Sequence, residues 1–139
     1  MFRPRRALLT ASALSTVLAV ASVVCWLAIP AEYQALFTLP QLLTLAFFVL
    51  VMIAIMMSIG LSYLRVDDTG LTYRNGLPTR HLSWAEVRGF RFTEHDPWAY
   101  VLLADDLQRP LLGIQRTDRD RAEADFAEVV RTWRARAGS

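Results

Sequence analysis

The sequence predicts an α+β membrane protein, with an N-terminal two-helix transmembrane hairpin followed by a small antiparallel β-barrel or sandwich capped by a C-terminal α-helix. Three observations carry that prediction. From Ala7 to Tyr63 the chain is strongly apolar, with no Arg and with Glu32 as its only carboxylate. Its composition then changes once, near Tyr63–Arg65, into a stretch dense in Arg, Asp and Glu. Within that stretch turn residues recur at short intervals, and a segment of helical periodicity ends the chain. The chain has 139 residues, 54% of them hydrophobic, and a mean hydropathy of +0.29. That length leaves room for one small domain besides anything in lipid. The expected division is residues 1–63 for the hairpin and 64–139 for the domain.

The first apolar segment runs from Ala7 to Ile29 without a charge. At 1.5 Å per residue it reaches about 35 Å, enough to cross a hydrocarbon core of roughly 30 Å. Arg3, Arg5 and Arg6 precede it and Pro30 closes it. The second runs from about Leu39 to Leu64, with Pro40 in its first turn, where a missing N–H does no harm. A charge at mid-bilayer costs about 2.5–3.5 kcal/mol on insertion scales, which accounts for the absence of charge inside either segment. The loop from Pro30 to Thr38 carries only Glu32, whereas arginines flank the outer ends, so the positive-inside rule places both termini in the cytoplasm. A cleaved signal peptide is the competing reading, but no small-x-small site follows the long apolar stretch. A lipid-modified Cys25 is disfavoured by the bulky Val24 before it.

Ala11, Ser15, Ala19 and Ser22 share one face of the first helix and are the candidate helix-packing face. Packing against the second helix is the preferred reading, and docking on another membrane protein the alternative. Met52, Met56 and Met57 read as adaptable packing rather than metal ligands.

After the membrane segments, Tyr63–Val66, Leu71–Arg74, Thr79–Leu82, Val87–Phe92, Trp98–Leu103 and Leu111–Ile114 read as short strands paired in sequence. Asp67-Asp68-Thr69-Gly70 and Asn75-Gly76 supply hairpin turns, the latter because both residues tolerate positive φ. Ser83–Glu86 reads as a corner, Gly89 as a bulge site, and Trp98–Leu103 as a strand buried on both faces. A helix is expected over about 118–136, capped by Thr117 or Asp118. Its apolar stripe Ala122, Phe126, Val129, Val130 and Trp133 faces the sheet.

The run Val66-Asp67-Asp68-Thr69-Gly70-Leu71, then Asn75-Gly76, then Leu82-Ser83-Trp84-Ala85-Glu86-Val87 resembles bacterial pleckstrin-homology (PH) domain proteins. More narrowly, the order of parts is similar to the small actinobacterial membrane proteins of the low molecular weight protein antigen 6 type. The resemblance implies a PH-like barrel or sandwich capped by the last helix, with Gly70, Asn75, Gly76, Trp84, Val87 and Trp133 as its structural signature. Six strands are read where the full PH fold has seven, so one is missing, hidden or merged with the membrane helix end. Phosphoinositide-binding PH domains place basic residues in the first strand pair and its loop. The corresponding turn here is acidic and would repel phosphate, so that ligand is not carried over.

The region from Leu64 onward holds twelve Arg against twelve carboxylates, which argues against a nucleic-acid partner. The absence of Lys reflects a GC-rich bacterial coding bias. Glu94-His95-Asp96 is the most reactive-looking cluster, yet adjacent residues rarely converge on one ion, and no phosphate loop, zinc spacing or nucleophile elbow occurs. No catalytic residue, cofactor or metal is therefore expected. Two classes of function remain: an accessory or scaffold protein that binds a protein partner at the bilayer, or a lipid or small-ligand sensor. Arg65, Arg88, Arg91 and Trp98 are the candidate membrane-surface contacts for the sensor.

Overall fold

Helix α1, Arg5–Ala28, and helix α3, Leu39–Gly60, lie side by side, joined by the short helix α2, Ala31–Gln34, in a computed structural model that describes residues 1–137. The connection is closed by side chains. The Gln34 amide donates to the carbonyls of Trp26 and Ile29 at 2.9 and 3.0 Å, satisfying the end of α1. Thr38 and Gln41 form a capping box at the start of α3. At the other end of the hairpin the helices approach closely: a Cβ on Gly60 would lie 3.0 Å from that of Ala11 and 3.1 Å from Leu8 Cα. At 1.5 Å per residue α3 alone spans about 33 Å, and both helices are long and apolar enough to cross a membrane.

Helix α3 stops short of Leu64. It ends at Gly60, a residue that weakens helices, and the chain passes through Leu61 and Ser62 directly into a strand. Strands β1 (Tyr63–Val66), β2 (Gly70–Arg74) and β3 (Thr79–Ser83) form one antiparallel sheet in that order. A 3-10 turn, Trp84–Glu86, opened by a capping box between Ser83 and Glu86, leads to the second sheet. This comprises β4 (Val87–Arg91), β5 (Trp98–Leu103) and β6 (Gln108–Gln115), again in chain order, with a register shift between Val87 and Gly89. The sheets stay separate, so the domain is a PH-like sandwich rather than a closed barrel. Leu64, Leu71, Val101, Leu111 and Ile114 fill its interior. Helix α4, Asp120–Ala137, closes the open side, with Phe126 and Trp133 edge-on to Phe90 and with Ala122 and Val129 buried.

Several local readings change. The Asn75-Gly76 pair lies in a four-residue loop, 75–78, between the Arg74–Thr79 pair. Only Gly76 takes positive φ, at 75°. Asn75 instead bridges the sheets. Its side-chain amide donates to Pro110 O at 2.6 Å and accepts from Leu112 N at 3.1 Å, tying the β2–β3 hairpin to β6. Strand β6 begins earlier than expected, at Gln108. Strand β5 alternates, with Ala99, Val101 and Leu103 buried and Trp98, Tyr100 and Leu102 only partly covered. Asp118 does not cap α4. It ends a 3-10 turn, Arg116–Asp118, and Arg119 at φ 51° redirects the chain into the helix.

Candidate functional site

The N-terminal residues are built into the domain. Phe2 pairs with Leu64 through two backbone hydrogen bonds, of 2.6 and 2.9 Å, extending the first sheet beyond β1. Phe2 and Pro4 are buried, and Phe2 belongs to the same apolar cluster as Leu71 and Ile114. The Asp118 carboxylate accepts from Arg6 N at 3.0 Å, so a side chain of the domain occupies the N-terminus of α1, which has no cap of its own. On the α3 side, Gly76 N donates to the buried Ser62 hydroxyl at 3.3 Å. The ends of both helices therefore dock on the domain without a linker.

The signature residues serve this framework. A Cβ on Gly70 would lie 2.0 Å from Leu82 O, so no side chain fits there. Trp84 donates its indole N–H to Asp67 O at 3.2 Å, locking the corner against the first turn, and Val87 is buried at the start of β4.

The outer face of the second sheet is the candidate recognition surface. Trp98, Tyr100, Leu102, Pro110 and Leu112 are half-buried there by alternation and register, and Tyr100 sits opposite both Arg91 and Pro110. The Arg91 guanidinium lies 4.7 Å from the Tyr100 ring centroid and pairs with Asp96 at 3.4 Å. Arg88 pairs with Asp106, both exposed. Arg65 stands on the first sheet, opposite Thr72, so the four expected surface contacts do not form one cluster. Apart from Trp98, sequence reasoning missed this apolar face, because β5 is apolar at every position and reads as covered on both sides.

Among the described residues, the four carboxylates with shifted pKa values sit in turns, a cap and a helix. Asp67 is held below the usual carboxylate range by the Thr69 hydroxyl and then its N–H, Glu86 by the Ser83 hydroxyl and then its N–H, and Asp96 by Thr93 N–H and then its hydroxyl. Burial pushes Asp125 up, partly offset by Arg121. The three lowered groups are explained by turns and a cap, and Asp125 by its burial on α4. Glu94 and His95 are exposed, His81 shares a 2.9 Å hydrogen bond with Thr72, and no group of three metal-ligating side chains occurs among the described residues.

Along the helices, Ala11 and Ser15 are buried, and Ala19 and Ser22 line an open groove of about 730 Å³ between α1 and α3, with Trp26, Ala46 and Val49. The hydroxyls of Thr16, Ser22 and Thr44 each donate to the carbonyl four residues back, which satisfies those three donors within their own helices. Cys25 is exposed.

A family model described as bacterial PH domain matches residues 62–132. Uncharacterized proteins of Mycobacterium tuberculosis and Mycobacterium bovis are each 44% identical over 73 residues, covering 52% of this chain and 47% of theirs. The chain thus spans about half the length of the curated relatives it matches. No solved structure matches.

Proposed function

The chain belongs to the bacterial PH-domain family, and we propose that it is a non-enzymatic, membrane-anchored adaptor whose PH-like domain binds another protein at the cytoplasmic face of the cell membrane. The observation that carries the reading is the direct docking of both helix ends on the domain, through Phe2–Leu64, Arg6–Asp118 and Ser62–Gly76. That lacing supports a hairpin whose two ends share one side of the bilayer, and the flanking arginines support the cytoplasm as that side. A domain held this way meets only partners near the membrane, at raised effective concentration. The partly covered face with Trp98, Tyr100 and Arg91 has the aromatic and Arg composition of protein interfaces.

The sensor reading gains less support. Arg88 and Arg91 already face Asp106 and Asp96, so a phosphate would have to compete with carboxylates in place. Photo-cross-linking residues placed at Tyr100 and Leu102 in intact cells test the adaptor reading, with Arg131 on α4 as the control. A discrete cross-linked protein from positions 100 and 102, absent from 131, is expected. Equal products from all three positions, together with salt-sensitive binding of anionic liposomes that Arg88→Gln/Arg91→Gln abolishes, would replace the adaptor with a lipid sensor. A C-terminal reporter active only outside the cytoplasm is expected to stay silent.

A further inference from the structure

Leu77, at 80% exposure, is the most exposed large apolar residue among those described, yet it lies outside both apolar helices, at the tip of the β2–β3 loop. The loop is held in place rather than free to swing. Arg74 Nε donates to Gly76 O at 2.6 Å, Gly76 N donates to Ser62, and the Asn75 amide is fixed on β6. A Cβ built on Gly76 lies 3.6 Å from Ser58 Oγ, which places the loop beside the last turn of α3, at the level where Ile59 and Leu61 are exposed. Since α3 is about as long as the hydrocarbon core is thick, that level is the boundary between acyl chains and headgroups.

We infer that the β2–β3 loop is a third membrane contact, with Leu77 and Pro78 inserted among the lipids of the leaflet next to the domain. The charge pattern fits such a surface. No carboxylate occurs from Leu71 to Leu82, and Arg74 and Arg80 flank the tip, suited to lipid phosphates. The β5–β6 turn supplies the contrast. Leu107 there is also exposed, at 50%, but it follows Asp105 and Asp106, and its turn is bound to Glu86 and Arg88. An anionic membrane would repel that turn. Because the insertion-ready loop is already ordered, little further conformational freedom is lost when it enters lipid. This inference rests on the membrane-spanning reading of α1 and α3, and it fixes which side of the domain faces lipid.

The test uses the full chain in phosphatidylglycerol–phosphatidylethanolamine vesicles, in a Cys25→Ser background that removes the only cysteine. Single nitroxide labels are placed on Leu77→Cys, Leu107→Cys and, in α3, Ile55→Cys. Relaxation by oxygen, which concentrates in lipid, is compared with relaxation by a water-soluble nickel complex. The expected result is an oxygen-to-nickel ratio at 77 shifted toward that at 55 and well above that at 107. A ratio at 77 equal to that at 107, with 55 in lipid, overturns the loop contact alone. A water-like ratio at 55 overturns the spanning reading and the loop contact with it. Dipolar broadening between labels at 77 would mean that a second copy covers the loop, which also overturns the inference.

Discussion

Leu50, in the middle of α3, is 64% exposed, whereas Leu64, at the start of the domain, is fully buried. The contrast extends to the regions around them. Leu43, Phe47 and Phe48 are all exposed on α3, while Leu71, Val101 and Leu111 are enclosed by the two sheets. In the domain apolar side chains hold the fold together by leaving water. In the hairpin many of them stay largely exposed, and the two helices approach closely at small residues such as Gly60 and Ala11. An apolar surface of that extent on a soluble protein would favour aggregation, which supports the proposed place of the hairpin in lipid.

Truncation separates the two regions most sharply. Leu64→Ala is expected to destabilise the domain by about 4 kcal/mol, from lost burial plus the cavity left behind. Leu50→Ala should leave the domain's unfolding in detergent unchanged, whereas Leu50→Arg is expected to impair membrane insertion at a cost of about 3 kcal/mol. Thermal unfolding followed by tryptophan fluorescence and fractionation of membranes measure these effects. Similar losses of domain stability for the two alanine variants would erase the distinction.

Phe2 marks where the regions join. Phe2→Ala should cost the domain about 3 kcal/mol even though the residue precedes the first helix. An unchanged midpoint would mean that the hairpin and the domain fold independently. Asp118→Ala comes next, with an expected loss of about 1 kcal/mol from an uncapped α1. Asp118→Asn, which keeps an acceptor, should recover most of it. Hydrogen exchange at the first turn of α1 reads this change directly.

The elements themselves were largely legible in the sequence, because each rests on local signals. Charge-free length marked the helices, turn chemistry marked the hairpins, and the stripe from Ala122 to Trp133 marked α4. What escaped was tertiary. Phe2 sits in a short basic segment without periodicity, and its partner Leu64 lies at the far end of the hairpin, so no window contains both. Asp118 was recognisable as a capping residue, but only the fold shows that it caps α1 rather than its own helix. Asn75 looked like a turn former, and its bridge to β6 depends on how the sheets pack. The partly open face of β5 was hidden by its uniform apolar composition.

Acid titration yields the smallest effect and acts on the domain alone, since Asp67, Glu86, Asp96 and Asp125 all lie beyond the hairpin. Asp67, Glu86 and Asp96 have folded pKa values below their unfolded ones, through hydroxyl and N–H donors in their turns. The folded chain binds their protons less tightly, so these groups favour folding above the unfolded carboxylate range of about 4. That contribution disappears as the pH falls through their folded values. Asp125 has the opposite sign: raised by burial, it favours folding at low pH and loses that contribution as the pH rises through its folded value. Three lowered groups against one raised group predict a net fall in domain stability below about pH 4. Asp67→Asn should flatten the acid limb, and Asp125→Asn should steepen it. Since Asp67 lies in a turn open to solvent, the change is expected to be a modest shift of the acid midpoint, read from full-chain unfolding at a series of pH values. A Leu50→Ala background should leave that shift untouched, whereas a Leu64→Ala background should move the whole curve to higher pH.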